Sequence, residues 1–546
     1  MFKEQVSGKK IRVAFIGQKG IPANFGGIES YVEGVAERLC KDGYEVSVYV
    51  RGWYTKKGLK NYKGIKLIHI PSIKNKYFDA FSHVLFCSIY SISRNFDLIH
   101  YQGIGPSFFC WIPRLFGKKV VLTVHSLPQK STKWKPFAKW FLRLSEIVGM
   151  ISAHKVIAVS KDLKCYLEKK YKKGVSYISN AVSLEGGYAV PEVIKKKHNL
   201  RSKKYILYLG RITPEKRIEW IIKAFRDLAN GGFFEKNSLE SLKLIIAGAV
   251  NASDKYEILI KNMIGSDGRI ILSKWVGGRE KEELLNNACL FVLPSYLEGL
   301  PMVLLEAMRY ELPVLVSDIP SHMEVVEDNK DGFLFSNNSF ESFLRRLKEI
   351  LDLESEKLSL IGKKAQEKIK EGYGLSTKVA MIEEIYQSLF TMNTEPSAKI
   401  CFVCNPGGHL YQLYLLKPFW QKYERFWVTA DKIDARYRLA GEKIYWGYCP
   451  TTRNLKNFLL NLILAFRVLG KERPRIIVST GSGVAVPFFW VGKLFGCKLV
   501  YIEVFDRIDM PTLSGKLIYS VADEFLLQWQ EQKKFYPKAK VLGQML

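Results

Sequence analysis

The chain has 546 residues, and its 83 Lys and Arg residues against 53 Asp and Glu give a formal net charge of +30. Hydrophobic residues make up 47% and charged residues 25%, a globular composition that excludes an intrinsically disordered chain. This length predicts three or four domains of ordinary size. The charge favours an anionic partner. Because the sequence has no zinc-finger spacing and no basic region leading into heptads, we expect a membrane surface or a phosphorylated lipid, and no nucleic acid.

Nine scattered cysteines, an odd number, favour a reduced cytosolic chain over a disulfide framework. The C-x-x-C pair Cys401 and Cys404 lies on a predicted buried strand without a second pair, so no zinc site is expected. The first residues show no signal-peptide pattern, and no uncharged apolar run is long enough to span a bilayer. We therefore expect a cytoplasmic protein that lies peripherally on the inner face of the cell membrane.

Short β-rich runs alternate with helical patterns along the whole chain. Residues 1–190 contain IRVAFIG, EVSVYV, KLIHI, DLIHY, VVLTVH and KVIAVS. Residues 191–392 contain YILYLG, LKLIIAG, RIIL, LFVLPS and PVLVSD, and end in a helix over 377–390. A linker is predicted at 393–398, and residues 399–546 contain KICFVC, RFWVT, KIYWG, RIIVST, KLVYIEV and EFLLQW. This alternation predicts an α/β protein with three Rossmann-like domains.

A glycine-rich loop, GQKGIPANFGGIES at residues 17–30, follows the first strand and precedes a helical stretch. Gly26 and Gly27 allow a close backbone approach, and the N-terminus of the helix that follows favours an anion. The alternative is a tight turn that holds no ligand, and the sequence leaves both open.

A basic loop, GRITPEKR, follows the strand YILYLG in the second domain. In open α/β sheets, ligands bind beyond the carboxyl ends of the strands, and two facing sheets form a cleft there. Arg211 and Lys216 are therefore placed to neutralise a diphosphate. A solvated basic loop is the alternative.

Two carboxylates eight residues apart stand in EGLPMVLLEAM. Pro301 suits the first turn of a helix, which places Glu298 in the preceding loop and Glu306 on the helix. One carboxylate can reach a sugar while the other binds ribose hydroxyls. Two exposed helix acids would fit poorly with so apolar a helix.

These motifs resemble a known family. GRITPEKR followed by LPSYLEGLPMVLLEAMRYELPVLVSDI is similar to the retaining nucleotide-sugar glycosyltransferases of family four, which have the GT-B fold of two facing Rossmann-like domains. GQKGIPANFGGIESYVEGVAERL resembles the N-terminal segment of bacterial members that build surface polysaccharides. The resemblance covers residues 10–390. It implies that Arg211 and Lys216 hold the donor diphosphate, that Glu306 binds the ribose and that Glu298 lies beside the donor sugar.

The resemblance also implies roles in the first domain. Gly26 and Gly27 match the loop that closes over donor and acceptor, and His125, in LTVHS, resembles a histidine that contacts the donor sugar. From the residues alone, a core or hydrogen-bonded histidine is the favoured interpretation of His125. We expect a nucleotide diphosphate sugar as donor, with uridine diphosphate the commonest nucleotide and deoxythymidine diphosphate rhamnose an open alternative.

The leaving diphosphate develops negative charge as the glycosidic bond breaks. Many glycosyltransferases neutralise that charge with a metal held by D-x-D, and no such motif follows a strand in this chain. Arg211, Lys216 and a helix N-terminus can supply the positive charge instead. We therefore expect no metal and no cofactor, and for a retaining family member we expect the leaving phosphate to help deprotonate the acceptor.

The third domain repeats the glycine-loop arrangement. CNPGGHLYQL places Gly407, Gly408 and His409 after a strand, and STGSGVAVP places Gly481 and Gly483 after another. Two such loops form a cradle suited to a lipid diphosphate. His409 is a candidate acceptor-side base, and a histidine that only bonds the loop at the start of its helix is an equal alternative.

Residues 399–546 resemble the acceptor-binding half of MurG-related GT-B enzymes. They are most similar to the membrane-recruiting subunit of the two-part N-acetylglucosaminyltransferase of dolichol-linked oligosaccharide assembly and to its capsule-synthesis relatives. In those systems the donor-binding half is a separate polypeptide, which implies a small donor-binding glycosyltransferase subunit as a partner and a lipid-diphosphate-linked glycan as acceptor. We thus predict a retaining glycosyltransferase of capsule or exopolysaccharide assembly, fused to the acceptor subunit of a second, inverting one.

Two rival interpretations remain open at this point. In one, the third domain is only a membrane and acceptor tether. In the other, the chain is a nucleic-acid or glycan-binding protein on the same fold, although binding alone does not need the basic and acidic set of the second domain. Two stretches rich in aromatic or aliphatic residues with basic neighbours, residues 131–144 and 454–471, suit interfacial helices. Core packing is their alternative.

Overall fold

The computed structural model describes residues 10–24, 26–73, 75, 78–131, 134–185, 187, 189–248, 255–390, 399–451 and 454–543. The predicted linker at 393–398 lies outside these residues. Three separate sheets account for the strands that the sequence predicts.

The first unit contains β1 (Arg12–Ile16), β2 (Glu45–Arg51), β3 (Asn61–Tyr62), β4 (Ile65–Ile70), β5 (Leu98–Gln102), β6 (Lys119–Val124), β7 (Lys155–Ala158) and β8 (Ser176–Tyr177). Its helices are α1 (Gly27–Lys41), α2 (Asp79–Ile92), α3 (Ile104–Ser107), α4 (Trp111–Leu115), α5 (Pro136–Ser152) and α6 (Lys161–Tyr171). The sheet order is β3-β4-β2-β1-β5-β6-β7-β8, with only the β3–β4 pair antiparallel among the described strands. Helices cover both faces, which explains why its strands read as continuous apolar runs.

The second unit contains β9 (Tyr205–Leu209), β10 (Lys243–Ala247), β11 (Ile270–Ser273), β12 (Leu290–Leu293), β13 (Val314–Ser317) and β14 (Phe333–Phe335), in the parallel order β11-β10-β9-β12-β13-β14. Helix α7 (Val193–His198) precedes it. The remaining helices are α8 (Ile218–Asn230), α9 (Phe233–Lys236), α10 (Lys255–Ile264), α11 (Gly278–Asn287), α12 (Met302–Arg309), α13 (Pro320–Met323), α14 (Phe340–Leu351), α15 (Ser355–Gly372) and α16 (Leu375–Ser388).

The third unit contains β15 (Ile400–Val403), β16 (Arg425–Ala430), β17 (Ile444–Gly447), β18 (Ile476–Ser479), β19 (Lys498–Ile502), β20 (Glu524–Leu527) and β21 (Lys540–Val541), with the order β17-β16-β15-β18-β19-β20-β21. Its helices are α17 (Gly408–Leu415), α18 (Lys417–Trp420), α19 (Ile433–Arg438), α20 (Leu455–Glu472), α21 (Ala485–Phe495) and α22 (Leu513–Tyr519). Short 3-10 turns lie at Pro128–Lys130, Pro214–Lys216 and Glu531–Lys534. Without β3, the first sheet has the same strand order as the third: β4-β2-β1-β5-β6-β7-β8 correspond in turn to β17-β16-β15-β18-β19-β20-β21.

Helix α16 returns from the second unit to the first sheet. The helix predicted over 377–390 begins at Leu375, because Gly374 ends the preceding segment in an extended conformation. Val379, Ile382 and Tyr386 of α16 are buried with residues of α1 and the first sheet. The Tyr386 hydroxyl lies 2.7 Å from Nδ1 of the buried His100 on β5. The second unit thereby completes one face of the first.

The third unit packs against the first, and a buried arginine lies in the contact. Helix α21 packs against α4 and α5. Arg114 donates from Nε to the Lys493 carbonyl oxygen at 2.6 Å and from Nη1 to the Ser152 carbonyl oxygen at 2.7 Å. A Cβ on Gly496 would stand 2.5 Å from the same guanidinium. The contact therefore needs both the arginine and the glycine.

No helix among the described residues combines the length and apolarity that a bilayer crossing needs.

Candidate active site

Lys216 and Glu298 meet in the cleft between the first two sheets. Lys216 ends the 3-10 turn that follows β9, and Glu298 lies in the loop between β12 and α12. The Lys216 Nζ forms an ion pair with Glu298 Oε1, and the side chains are only 11% and 12% exposed. Two residues predicted to face the same donor, 82 positions apart, are thus in direct contact.

Glu298 is ionised although it is buried. Burial by itself raises the pKa of the Glu298 carboxyl, but the positive charge of Lys216 and its hydrogen bond outweigh burial and leave the pKa below its usual range. A carboxylate held in this way has a fixed charge beside the place predicted for the donor sugar.

His125 is neutral at physiological pH. Burial lowers its pKa to about 3. Its Nε2 bonds Gln102 Oε1 at 2.9 Å, and the Tyr31 ring lies edge-on at 4.9 Å between centroids. The histidine is therefore both hydrogen-bonded, as the alternative expected, and at a strand end facing the cleft. Its contact with a donor sugar stays a prediction.

The loop that carries Glu298 packs directly on the first unit. A Cβ on Gly299 would stand 1.7 Å from the His125 carbonyl oxygen, so only glycine fits there. Next to it, Asn180 Nδ2 donates to the Leu300 carbonyl oxygen at 2.5 Å. These contacts align the carboxyl ends of the two sheets.

Further bridges across the cleft involve residues that the sequence did not single out. The Ser131 hydroxyl donates to Glu215 Oε1. Glu324 accepts from the Lys161 backbone N–H at 2.8 Å and from the Tyr177 hydroxyl at 2.5 Å. Each pair is at least 84 positions apart in the chain, so no local pattern could have found it.

Glu306 faces a cavity of about 550 Å³ between α1 and α12. As predicted, it lies on the helix that begins after Pro301. Its Oε1 pairs with Lys281 Nζ at 2.7 Å, a partner that the sequence did not indicate. A ribose in this cavity would compete with Lys281 for the carboxylate.

The first glycine loop binds carboxylates of its own helix. Gly26 has a φ of 110°, which favours glycine, and α1 begins at Gly27. The backbone N–H groups of Lys19 and Ala23 donate to Glu29 at 3.0 Å and to Glu33 at 2.6 Å. The loop thus satisfies part of its anion-binding capacity internally. Gly27 lies opposite Met302 of α12, with room for a Cβ at 3.8 Å.

Arg211 directly follows Gly210 at the end of β9 and is exposed. The Tyr208 hydroxyl donates to its carbonyl oxygen at 2.8 Å, which fixes the start of the basic loop. Its contact with a diphosphate stays a prediction.

The two glycine loops of the third unit are joined through His409. Its Nδ1 donates to the Thr480 carbonyl oxygen at 2.9 Å, and the Thr480 hydroxyl donates to the His409 carbonyl oxygen at 2.8 Å. Burial lowers the pKa of His409. Because Nδ1 carries the proton, the neutral ring keeps its lone pair on Nε2, for which the described residues provide no hydrogen-bond partner. His409 is therefore hydrogen-bonded to the second loop, and its role as an acceptor-side base stays a prediction.

The glycines of these loops differ in backbone conformation and in the space around them. Gly407 has a φ of 86° and donates its N–H to Asp434 Oδ2 at 2.7 Å, while Gly408 starts α17 and is exposed. Gly481 has a φ of 109° beside the His409 ring. A Cβ on Gly483 would stand 2.7 Å from Thr451.

Two residues near this cradle escaped sequence analysis. Ser482 has a φ of 98°, unusual for a residue with a side chain, and its buried hydroxyl has no partner among the described residues. Glu503 is buried at the end of β19 and accepts from Tyr536 at 2.7 Å and Thr512 at 3.0 Å; burial raises its pKa. Its position directly after an apolar strand is the feature by which sequence analysis could have identified Glu503.

Three family models match successive parts of the chain. Residues 25–185 match Glycosyltransferase Family 4, residues 191–368 match Glycosyl transferases group 1, and residues 450–545 match Oligosaccharide biosynthesis protein Alg14 like.

Several relatives share parts of the chain. The UDP-Gal:alpha-D-GlcNAc-diphosphoundecaprenol alpha-1,3-galactosyltransferase of Escherichia coli is 25% identical over 55% of this chain and 78% of its own length. The capsular polysaccharide biosynthesis glycosyltransferase CapM of Staphylococcus aureus is 23% identical over 49% and 70%. The human UDP-N-acetylglucosamine transferase subunit ALG14 is 26% identical over 31% of this chain and 93% of its own length. Sucrose-phosphate synthase from Thermosynechococcus elongatus superposes with a TM-score of 0.59 at 20% identity, over 70% and 99% of the chains.

The two facing sheets and the cleft between them are those of a GT-B glycosyltransferase. The nucleic-acid or glycan-binding alternative is therefore set aside. The chain combines glycosyltransferase domains of family four and group 1 with a third, Alg14-like domain on a further Rossmann-like sheet.

Proposed function

We propose that the first two units transfer a sugar, with retention of configuration, from a nucleotide diphosphate sugar to a lipid-linked glycan. The observation that carries this proposal is the buried Lys216–Glu298 ion pair, formed by the loops that follow β9 and β12. Lys216 and Arg211 would hold the diphosphate, Glu306 the ribose, and Glu298 and His125 the sugar. Gly26 and Gly27 would close the loop over both substrates.

The chemistry follows from where charge develops. The bond between the anomeric carbon and the β-phosphate oxygen breaks, and its electron pair leaves with the nucleotide diphosphate. The acceptor hydroxyl oxygen bonds the anomeric carbon on the same face, and its proton passes to the leaving phosphate. Lys216 and Arg211 stabilise the departing charge, which is the usual form of electrostatic catalysis. Glu298 stabilises the positive charge on the sugar.

We propose that this transfer needs neither metal nor cofactor, because two cations flank the predicted diphosphate site. The test is transfer in the presence of a chelator such as EDTA. Undiminished turnover is expected. Loss of turnover that manganese restores would overturn this part.

The acceptor is proposed to be a lipid diphosphate glycan, in capsule or exopolysaccharide assembly. One relative is named for a diphosphoundecaprenol acceptor and a UDP-galactose donor, and another for capsular polysaccharide. The decisive assay supplies the purified chain with a lipid-diphosphate-linked acceptor and a panel of nucleotide sugars, and determines the anomeric configuration of the product by NMR. An inverted product would overturn retention, and no transfer with any donor would overturn the substrate class.

We further propose that the chain works at the inner face of the cell membrane. Helix α5 exposes 78% of Phe137 and 58% of Trp140, and α20 exposes 51% of Leu459 and 59% of Ile463. Basic residues lie close in sequence to these exposed apolar side chains, among them Lys139 between Phe137 and Trp140 on α5. Lys133 of the predicted segment lies outside the described residues. An exposed apolar stripe with basic flanks suits an anionic bilayer rather than core packing.

The third unit is proposed to be the acceptor half of a second, inverting transferase. Its loops at Gly407, Gly408, Gly481 and Gly483 would hold the lipid diphosphate, and His409 would accept the acceptor proton through Nε2. A GT-B reaction also needs a donor-binding sheet, and the human relative of this unit is named as a subunit of a UDP-N-acetylglucosamine transferase, so we propose a small donor-binding partner chain.

The two transfers can be assayed separately with and without such a partner. His409→Ala is expected to impair only the second transfer, because the first cleft is built from other residues. A second sugar added by the purified chain alone would overturn the half-enzyme proposal. If no partner binds, and truncation after residue 398 only lowers membrane binding, the third unit is a tether.

A further inference from the structure

An exposed tryptophan lies at the ligand-binding edge of the first sheet. Trp53 comes two residues after β2 ends at Arg51, so it lies at the same edge as the glycine loop, which follows β1. The residue is 49% exposed. In open α/β sheets ligands bind beyond the carboxyl ends of the strands, and an indole there offers them a large apolar face.

A buried ion pair holds the indole in place. Trp53 Nε1 donates to Asp79 Oδ1 at 3.1 Å. Asp79 Oδ2 in turn pairs with Arg51 Nη1 at 2.7 Å, and the Arg51 and Asp79 side chains are only 6% and 16% exposed. The hydrogen bond therefore ties an exposed ring to a fixed, buried acceptor. A ligand that stacks on this ring does not have to order it first, which lowers the entropic cost of binding.

The turn that carries Trp53 is also joined to the glycine loop. The Tyr54 ring lies edge-on to the Trp53 ring, with 5.8 Å between centroids. The Asn24 backbone N–H donates to the Tyr54 hydroxyl at 2.8 Å, and the Thr55 hydroxyl donates to the Ile21 carbonyl oxygen at 3.0 Å. The exposed indole is therefore positioned directly against the loop that is proposed to close over donor and acceptor.

The strand order separates Trp53 from the proposed donor contacts. Strands β1 and β5 lie between β2, which leads to Trp53, and β6, which leads to His125. Because neighbouring strands lie about 4.8 Å apart, the ends of β2 and β6 are roughly 14 Å apart. A single pyranose ring is too small to contact both residues. When the donor sugar lies beside His125, a sugar on Trp53 therefore belongs to the acceptor.

We propose that Trp53 is a stacking platform for a pyranose ring of the acceptor glycan. The inference rests on the proposed function of the first two units and names the residue of that site that binds the acceptor sugar. The C–H groups on one face of a pyranose pack on the electron-rich face of an indole, while the sugar hydroxyls stay in contact with water or polar groups. Trp53 thus determines specificity: it favours an acceptor with a sugar at this position over a lipid diphosphate that carries none.

The kinetic test uses the full chain and a water-soluble acceptor, a short-chain alkyl diphosphate that carries the glycan. Trp53→Ala is expected to raise the KM for this acceptor about tenfold, and to leave the KM for the nucleotide sugar and the kcat at saturating acceptor unchanged. Trp53→Phe keeps an aromatic face but lacks the bond to Asp79, so the acceptor KM should rise by only about threefold. The control is Trp446→Ala, which removes an indole of 39% exposure from β17 of the third unit and should change neither KM.

Fluorine NMR of the full chain labelled with fluorinated tryptophan measures the contact directly. The Trp53 resonance is the one that Trp53→Phe removes. We expect this resonance to shift on saturation with the glycan-bearing acceptor and to stay in place with the same alkyl diphosphate without sugar. An equal shift with the sugar-free compound assigns Trp53 to the lipid diphosphate and overturns the proposal.

An acceptor KM that Trp53→Ala leaves unchanged, or raises only when the acceptor is embedded in vesicles, also overturns it. The two proposals can fail separately. A shift of the Trp53 resonance in a chain that transfers no sugar leaves the platform standing and overturns the proposed function, while transfer without any shift does the reverse.

Discussion

The backbone of Gly299 lies directly against the carbonyl oxygen of His125, with space for a hydrogen but not for a Cβ, which would stand 1.7 Å from that oxygen. His125 directly follows β6 of the first sheet, and Gly299 lies in the loop that follows β12 of the second. The loop that carries Glu298 is therefore positioned by the strand end that carries His125, and each unit sets the geometry of the other.

Gly299→Ala is expected to push the two units apart at the cleft and to lower kcat/KM of the first transfer by about 10²-fold, because a displacement near 1 Å costs that much in a positioned reaction. Each sheet should stay folded, as circular dichroism would show. Gly268→Ala is the control, since a Cβ there meets nothing within 4 Å. Equal kcat/KM in the two variants would contradict this role of Gly299.

Lys216→Ala and Glu306→Ala are expected to abolish the first transfer without unfolding the chain. Lys216→Ala removes the cation proposed for the diphosphate and leaves Glu298 buried without its partner, while Glu306→Ala removes the proposed ribose ligand. Loss of one electrostatic contact of this kind typically costs 10²- to 10³-fold in kcat. Steady-state kinetics of each variant measure the loss of turnover. The control is Lys261→Ala, which breaks an ion pair with Glu257 on α10. Wild-type turnover in either folded variant would refute the assignment.

The double variant Phe137→Ser and Trp140→Ser is expected to weaken binding to anionic phospholipid vesicles at least tenfold, because the two stacked rings are exposed on α5. Turnover with a water-soluble acceptor analogue should not change. Vesicle flotation measures the first effect. The control pair, Ile258→Ser and Leu259→Ser, removes similarly exposed apolar residues from α10. If both pairs bind vesicles equally well, α5 is not the membrane contact.

Arg114→Met is expected to loosen the third unit from the first by about 2 kcal/mol, because the buried carbonyl oxygens of Ser152 and Lys493 lose a charged donor. Faster hydrogen exchange in α21 and a larger radius of gyration would report it, while the first transfer persists. Arg473→Met, which removes a single exposed bond to the Lys172 carbonyl oxygen, should have little effect. Unchanged exchange in α21 would show that apolar packing alone holds the interface.

Glu472 links acid pH to the stability of the third unit. Burial raises its pKa, but hydrogen bonds from Lys399, Lys443 and Tyr445 outweigh burial and lower the pKa from 4.5 to about 2. The stabilisation is therefore complete above pH 4.5 and is lost as the pH falls towards 2. Glu472→Gln is expected to reduce the free energy of unfolding by about 1 kcal/mol at pH 7, because Lys443 is half-exposed and solvent screens its charge.

Urea unfolding at pH 7 and pH 3.5 measures this effect, and the difference from wild type should shrink at the lower pH. Glu424→Gln is the matched control, because Glu424 also pairs with Lys399 but its side chain is 69% exposed. A difference that stays constant with pH would show that Glu472 does not act through its charge.

The sequence by itself determined the three sheets, the glycine loops after their first strands and the placement of Glu298 in a loop and Glu306 on a helix. These features follow from local patterns: apolar runs of strand length, glycines at turns and a proline at a helix start. The motifs also established the family, because several of them occur in the expected order.

Only the tertiary structure decided which of these residues meet. The partners of Glu298 and Glu306, the contact of Gly299 with His125 and the Arg114 contact between the first and third units join residues far apart in the chain. Periodicity specifies which face of an element is apolar, but the packing of whole elements determines what covers that face and which charges lie within reach of each other.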